Sequence, residues 1–200
     1  MTRSIDFYFD FSSPYGYLGS HKVEAIAAKH GRAVNWRPML LGAAFKVTGA
    51  KPLTELPVKR DYFVRDFARS AKFLGVPFRM PSVFPVPTVA AARAYYWLAS
   101  KDPKQAIELA KALYKAYFAD DVNISEAENV VKVAAAVGCS ADEVRAALND
   151  QAVKDKTRVE VEAALAKGVF GSPYVLADGE PFWGVDRFDQ LERWLATGGW

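Results

Sequence analysis

The feature of this chain best suited to chemistry is a serine followed directly by a proline. It lies where an apolar strand leads into a helix. Residues 5–11 (IDFYFDF) alternate in period two, which predicts a strand. Pro14 has a φ preset for a first helical turn, where its missing N–H would have no partner. Ser13 is therefore the predicted N-cap, and its hydroxyl lies at the helix end where anionic ligands often bind. The alternative is a serine that only caps the helix, which stabilises it by roughly 1 kcal/mol.

A second Ser-Pro pair, Ser172-Pro173, follows a glycine and precedes another predicted strand. We predict a cis peptide bond here, although a trans turn proline is the commoner arrangement. In a sheet that joins both ends of the chain, this proline would face the start of the first helix. The cis bond would then leave the backbone N–H and C=O of Ser172 unpaired and available to an extended peptide ligand.

A third candidate group, residues 183–186 (WGVD), lies just before the last predicted helix, at residues 187–196. Asp186 is the predicted N-cap of that helix, and capping alone is the simpler interpretation. The helix start also offers free N–H groups to a carboxylate, while the Asp186 carboxylate can bind an ammonium group. Together these groups suit the α-amino-acid end of a peptide.

The elements that would position these groups lie at the two ends of the chain. The N-terminal end predicts β-α-β, with a helix at 14–30 and a strand at 33–37, and hence a parallel strand pair. The C-terminal end predicts a hairpin around Asp178-Gly179, followed by a helix. We therefore expect an α/β fold, a thioredoxin-like (DsbA-type) sheet with a large all-helical insertion.

The segment between the two ends carries helical signals. We expect a thioredoxin-like domain at residues 1–43 and 168–200 and a helical insertion domain at residues 44–167. Ser125 and Ser140 each begin a capping box. The predicted helices of the insertion are residues 58–74, 88–99, 103–118, 125–137, 141–149 and 152–166.

A proline-rich segment at residues 76–87 separates the first two of these helices. Its four prolines exclude both a helix and a central strand. We therefore predict a semi-rigid loop with exposed aromatic side chains.

Composition limits the kinds of partner. The chain has 200 residues, 51% of them hydrophobic, which is enough for a sizeable core. A net charge of +3, with no basic run interleaved with aromatics, does not indicate a nucleic acid partner. No apolar run approaches the ~20 residues needed to cross a membrane. With no hydrophobic signal segment either, we expect a cytoplasmic protein.

Cysteine and histidine content limits the chemistry further. Cys139 is the single cysteine, so the chain can form neither an internal disulfide nor a Cys-rich zinc site. Disulfide exchange needs two thiols, and residues 13–16 (SPYG) contain none. His21 and His30 are too widely spaced for joint metal ligation on one helix. We therefore expect no metal site.

The opening motif, residues 6–15 (DFYFDFSSPY), resembles the start of the 2-hydroxychromene-2-carboxylate isomerases and of their relatives, the kappa-class glutathione transferases. Both are glutathione-dependent members of the DsbA-like thioredoxin superfamily. The resemblance covers essentially the whole chain, and its first and last motifs are the most specific. The further matching motifs are residues 49–52 (GAKP), 61–62 (DY), 75–77 (GVP), 170–173 (FGSP) and 184–187 (GVDR).

The resemblance implies a glutathione-dependent cis-trans isomerase of 2-hydroxychromene-2-carboxylate-like aromatic catabolites that works as a homodimer. Ser13, rather than Ser12, matches the family's catalytic serine and would donate a hydrogen bond to the glutathione sulfur. Ser172 would pair through its backbone with the cysteinyl unit, and Asp186 would help to hold the γ-glutamyl end. The expected glutathione-binding residues are Ser13, Ser172, Pro173, Trp183, Gly184, Val185 and Asp186.

The substrate side is less closely matched. Lys46, Lys51 and Phe84 align approximately with substrate-lining positions, and either lysine could hold a substrate carboxylate or be a solvated loop charge. Ala50 stands where relatives often have an asparagine that helps to bind the ligand. Relatives also tend to have serine or asparagine at the position of Val185, so only its backbone can serve here.

Three functions therefore stay open. The first is the isomerase, and the second is a kappa-like transferase that releases a stable conjugate. The third is a non-catalytic glutathione-binding protein, which the absence of the asparagine at Ala50 favours. Asp10 has two interpretations as well: it either tunes the site electrostatically or simply alternates with phenylalanines along a strand, and we favour the second.

Overall fold

The computed structural model describes residues 3–200, and a mixed sheet lies at the centre of this part of the chain. Its strands are β1 (Ser4–Phe9), β2 (Ala33–Pro38), β3 (Tyr174–Ala177) and β4 (Glu180–Trp183), in the order β2-β1-β3-β4. Strand β1 runs parallel to β2, with Phe7 opposite Trp36, and antiparallel to β3, with Phe7 opposite Val175. The N-terminal and C-terminal ends therefore share one sheet, which confirms the predicted thioredoxin-like fold.

Helices surround this sheet and fill most of the chain between β2 and β3. They are α1 (Pro14–Ser20), α2 (Val23–Lys29), α3 (Leu41–Thr48), α4 (Arg60–Leu74), α5 (Val89–Ala99), α6 (Pro103–Phe118), α7 (Ala127–Ala136), α8 (Ala141–Asn149), α9 (Gln151–Ala166) and α10 (Phe188–Thr197). Within residues 3–200, no helix is both long and apolar enough to cross a membrane.

Aromatic packing joins the sheet to the helices. Phe9 on β1 is fully buried, and its ring lies 5.4 Å from Trp36 on β2 and 5.6 Å from Tyr114 on α6. A fully buried phenylalanine contributes about 1.5–3 kcal/mol through the apolar area it removes from water. One hydrophobic cluster contains residues of both the sheet and the inserted helices. The division into residues 1–43 with 168–200 and 44–167 stays a prediction, and its first two residues lie outside the described part.

The predicted helix at 14–30 is wrong in one respect, because it is two helices. The Ser20 hydroxyl donates to the Tyr17 carbonyl at 2.6 Å, and a local bond of this kind bends a helix. The next amides then bond three residues back, His21 N–H to Leu18 at 3.3 Å and Lys22 N–H to Gly19 at 3.0 Å. This tighter turn ends α1 and redirects the chain into α2.

Two other elements differ from the prediction. Helix α3 was not predicted, and its first amide, at Leu41, is bonded by the remote carboxylate of Asp10 rather than by a local cap. Ser125 does not cap α7: its hydroxyl bonds Asn123 instead, and the helix begins later, with Glu126 as N-cap. The predicted cap at Ser140 is confirmed, since its hydroxyl accepts the Glu143 N–H at 3.4 Å, whereas the Glu143 carboxylate pairs with Lys101.

Candidate active site

Ser13 lies beyond the end of β1, as the N-cap of α1, and is 5% exposed. Its Oγ accepts the Gly16 N–H at 3.0 Å, as an N-cap should, and donates to the Ser172 carbonyl at 2.8 Å. The Tyr15 N–H, one residue into the helix beyond Pro14, has no helical acceptor. A hydroxyl and an amide are therefore presented together at the start of α1.

The Ser172–Pro173 bond is cis, which confirms that prediction. It brings the backbone of Ser172 against Ser13, although the two residues are 159 positions apart in the chain. The expectation that the Ser172 carbonyl is unpaired is wrong, because it accepts the Ser13 hydroxyl. That carbonyl keeps a second lone pair, so it can still accept a further hydrogen bond.

The segment after β4 lies beside α1 but does not have the predicted form. Asp186 is not the N-cap of the last helix, because a 3-10 turn at Val185–Arg187 precedes α10, whose N-cap is Arg187. Gly184 enters that turn at φ 98° and ψ 146°, and its N–H donates to the Pro173 carbonyl at 2.9 Å. The backbone of this segment is therefore hydrogen-bonded to the backbone of the cis-proline.

The Asp186 carboxylate is exposed and pairs with Arg187 at 3.1 Å. A Cβ added at Gly184 would collide with Asp186 Oδ1, so this carboxylate lies directly over the glycine. Its charge helps to raise the pKa of Tyr15, after the larger effects of burial and of Asp66, which places Asp186 within electrostatic reach of the start of α1. The 3-10 turn that holds Asp186 contacts α1, so this exposed carboxylate can bind a cation beside that helix.

Trp183 ends β4 and is 57% exposed. The ring packs on Phe170 with centroids 4.8 Å apart and covers the backbone of Gly171, where a Cβ would lie 2.7 Å from Trp183 Cδ1. The tryptophan thus borders the cis-proline loop with an open aromatic face.

The proline-rich loop at residues 76–87 borders the site as well. Its aromatic side chains are partly buried, so the prediction that they are exposed is wrong. Phe84 is partly buried and packs against Phe67 and Phe118, with centroids 6.2 and 6.4 Å away. The Phe84–Pro85 bond is also cis, which was not predicted. The Val86 N–H donates to Ser12 Oγ at 3.1 Å, so Ser12 holds this loop while Ser13 faces Ser172.

Within residues 3–200, no hydrogen bond or ion pair links Lys46 or Lys51 to Ser13. Lys46 lies in the last turn of α3 and Lys51 just beyond it, and both are exposed. In the described part of the chain, neither forms a hydrogen bond or ion pair with the site. Ala50 is also exposed, and its methyl side chain offers no polar group. Roles for Lys46 and Lys51 stay predictions.

Asp10 has a different role from the one that the sequence analysis favoured. It lies beyond the end of β1 and is 4% exposed, so its interpretation as one more alternating strand residue is wrong. Its carboxylate accepts the Ser12 N–H at 2.8 Å, the Leu41 N–H at 2.6 Å and the Thr88 hydroxyl at 2.8 Å. Burial raises the pKa of Asp10, although these three bonds lower it. The alternation of polar and apolar residues could not reveal these contacts of Asp10, because both faces of β1 are covered.

Tyr15 and Asp66 form a second unpredicted contact, in which the Tyr15 phenol donates to the Asp66 carboxylate on α4. Arg69 also donates to that carboxylate. Burial raises the pKa of Asp66, but the bonds from Tyr15 and Arg69 outweigh it and hold that pKa below its usual value. This contact fixes α4 beside the start of α1, and no local sequence signal marks it.

Comparison with known proteins agrees with this geometry. A family model described as a DSBA-like thioredoxin domain matches residues 4–196, and the chain belongs to that family. It is 29% identical over 197 residues to a 2-hydroxychromene-2-carboxylate isomerase of Sphingobium xenophagum, which covers 98% of this chain and 99% of that protein. It is 26% identical over 210 residues to glutathione S-transferase kappa 1 of Rattus norvegicus, covering 96% and 93% of the two chains.

A solved structure of a 2-hydroxychromene-2-carboxylate isomerase is similar as well, with a TM-score of 0.86 at 25% identity over 98% of this chain and 94% of that one. The resemblance stated from the sequence motifs is therefore confirmed. The relatives are isomerases and glutathione transferases, which supports an enzymatic function.

Proposed function

We propose that this protein is a glutathione-dependent cis-trans isomerase of 2-hydroxychromene-2-carboxylate-like aromatic catabolites. The observation that carries the proposal is the 2.8 Å contact between Ser13 Oγ and the Ser172 carbonyl. It unites the N-cap serine with the cis-proline loop in a chain whose single cysteine is Cys139. A site of this form supplies hydrogen bonds to a sulfur atom but no sulfur of its own.

The residues present fit glutathione. Ser13 Oγ and the Tyr15 N–H would bind the thiolate, and the backbone of Ser172 would pair with the cysteinyl unit. The Asp186 carboxylate would bind the γ-glutamyl ammonium group, next to the backbone of Gly184 and Val185. Glutathione, when bound, would supply a thiolate that adds to the unsaturated keto acid, permits rotation about the resulting single bond and is eliminated unchanged.

The residues of the protein would keep the glutathione thiol ionised and would orient the substrate. A hydroxyl donor and a free helix-start amide favour a thiolate over a thiol, so we expect them to lower the thiol pKa. Trp183 borders the cis-proline loop, and Phe84 lies in the loop that Ser12 holds, where its apolar ring suits an aromatic substrate. Lys46 or Lys51 would hold its carboxylate.

The test compares Ser13→Ala with Ser20→Ala, a matched serine whose hydroxyl bonds only its own helix. Calorimetry would measure glutathione binding, and turnover of the chromene carboxylate would measure isomerisation. We expect Ser13→Ala to lose about 10²-fold or more in turnover, as when one donor to a developing anion is removed, and Ser20→Ala to keep it. Wild-type protein that binds no glutathione would refute the proposal.

The second candidate is a kappa-like transferase, which the similarity to the rat enzyme favours. Product analysis separates the two functions, because a stable thioether contradicts the isomerase while regenerated glutathione supports it. Binding of glutathione without consumption of either kind of electrophile would indicate the non-catalytic alternative.

We also propose a homodimer, as the resemblance implies, and a cytoplasmic location, as the sequence analysis predicts. Sedimentation of the purified protein tests the dimer, and fractionation of cells that produce it tests the location.

A further inference from the structure

Two buried hydroxyl groups lie beneath Ser13 and are not explained by ligand binding. Tyr114 on α6 is fully buried, and its Oη donates to the Asp10 carbonyl at 2.9 Å. Ser172 is 9% exposed, and its Oγ accepts the Asp10 N–H at 2.9 Å. The Ser13 N–H donates to the same Asp10 carbonyl at 2.9 Å. Both hydroxyls are thus connected to Ser13 through the backbone of one residue.

Helix α1 is packed directly on these two oxygens. A Cβ at Gly16 would lie 2.5 Å from Ser172 Oγ and 2.5 Å from Tyr114 Oη, so only a glycine fits. The Gly16 N–H is also the group that bonds Ser13 Oγ at 3.0 Å. The two hydroxyls therefore support the same helical turn that orients the Ser13 side chain.

We propose that the hydroxyl groups of Tyr114 and Ser172 are positioning groups that set the direction of the Ser13 hydroxyl. The inference rests on the proposed function. The side chain of Ser172 fixes its own backbone to Asp10, which holds the carbonyl that faces Ser13. Tyr114 fixes Asp10 from the other side, so the donor and acceptor around Ser13 cannot move independently. Burial raises the pKa of Tyr114 well above its usual value, which keeps the phenol protonated as a donor.

The experiment uses Tyr114→Phe and Ser172→Ala, with Tyr95→Phe as matched control. Tyr95 is also a buried tyrosine, 5% exposed, whose phenol donates to a strand carbonyl, that of Trp36 at 2.8 Å. It lacks a contact with Ser13, so it reproduces the loss of a buried phenol bond without disturbing the site. Thermal melts establish that each variant is folded, and Ser172→Ala keeps the test available should Tyr114→Phe fail to fold.

The decisive measurement is the thiol pKa of bound glutathione, read from the ultraviolet absorption of the thiolate in a pH titration of each complex. We expect both site variants to raise this pKa by about one unit, towards the free-thiol value near 8.5. The pH profile of kcat should move with it, while KM changes little. In the free protein, amide exchange at Ser13 should also be faster than in Tyr95→Phe.

The outcomes separate the inference from the proposed function. A wild-type protein that binds no glutathione, or binds it only as the neutral thiol, overturns the proposed function and this inference with it. A wild-type complex with an ionised thiol, and site variants that shift its pKa no more than Tyr95→Phe does, overturns the inference alone. A shift confined to the two site variants supports it.

Discussion

The substitution Gly184→Ala, which adds one methyl group, should lower both the stability of the protein and its affinity for glutathione. The Gly184 backbone lies at φ 98° and ψ 146°, a region that essentially only glycine adopts. A Cβ there would also collide with Asp186 Oδ1 and lie 3.5 Å from Asp186 Cγ. Gly184→Ala must therefore strain the backbone and displace the carboxylate proposed to bind the γ-glutamyl ammonium group.

The size of each effect follows from this geometry. Backbone strain of this kind costs about 1–3 kcal/mol of unfolding free energy. A lost hydrogen bond to a charged group costs about 1.5–3 kcal/mol, which raises the Kd for glutathione about 10- to 100-fold. Gly198→Ala is the matched control: its φ is 75°, and a Cβ there meets nothing within 4 Å. It should lose about 1–2 kcal/mol of stability and keep its affinity.

Urea unfolding measures the first effect, and calorimetric titration with glutathione measures the second. Both variants should unfold at lower urea than the wild type, but only Gly184→Ala should bind glutathione more weakly. Equal affinity in the two variants, with Gly184→Ala folded, would show that the position of the Asp186 carboxylate does not contribute to binding. The assignment of the γ-glutamyl end to this segment would then be wrong.

Three further predictions concern single contacts. Burial raises the pKa of Asp10 above 3.8, so the unfolding free energy should fall as pH rises from 3.8 through the folded-state pKa. In urea titrations across that range, Asp10→Asn should abolish this component of the slope. Gly171→Ala should push Trp183 off the cis-proline loop, which a red shift in tryptophan fluorescence would report; an unchanged spectrum would contradict the packing. Tyr15→Phe removes one of the bonds that lower the pKa of Asp66, so an NMR titration should find that pKa raised. An unmoved pKa would contradict the contact.

The parts of this fold that could be predicted are those encoded by neighbouring residues. Alternation gave β1, Pro14 marked the start of α1, and the Asp178-Gly179 turn located the hairpin of β3 and β4. The cis bond at Ser172–Pro173 was predictable from a Ser-Pro pair that follows a glycine and precedes a strand. In each case a backbone preference and the local sequence agree.

The parts that could not be predicted depend on contacts between distant residues. Helix α3 begins with an amide bonded by Asp10, 31 positions away, so no cap appears next to it in the sequence. The prediction that Asp186 caps the last helix was wrong because a 3-10 turn at Val185–Arg187 comes before that helix. Nothing in residues 184–187 distinguishes a 3-10 turn from a first helical turn. Asp10 was interpreted as one more residue of an alternating strand, because the residues that cover the second face of β1 come from elsewhere in the chain.

The contact between Ser13 and Ser172 bears on which form of a ligand the site selects. A serine has one hydroxyl proton, and in this structure the Ser13 proton is donated to the Ser172 carbonyl. A bound sulfur must compete with that carbonyl for the proton. A neutral thiol is a weak acceptor and would lose, whereas hydrogen bonds to an ionised group are roughly twice as strong as neutral ones. The serine should therefore turn towards sulfur only when the sulfur is a thiolate, so reorientation of the Ser13 hydroxyl and ionisation of the bound thiol become one event.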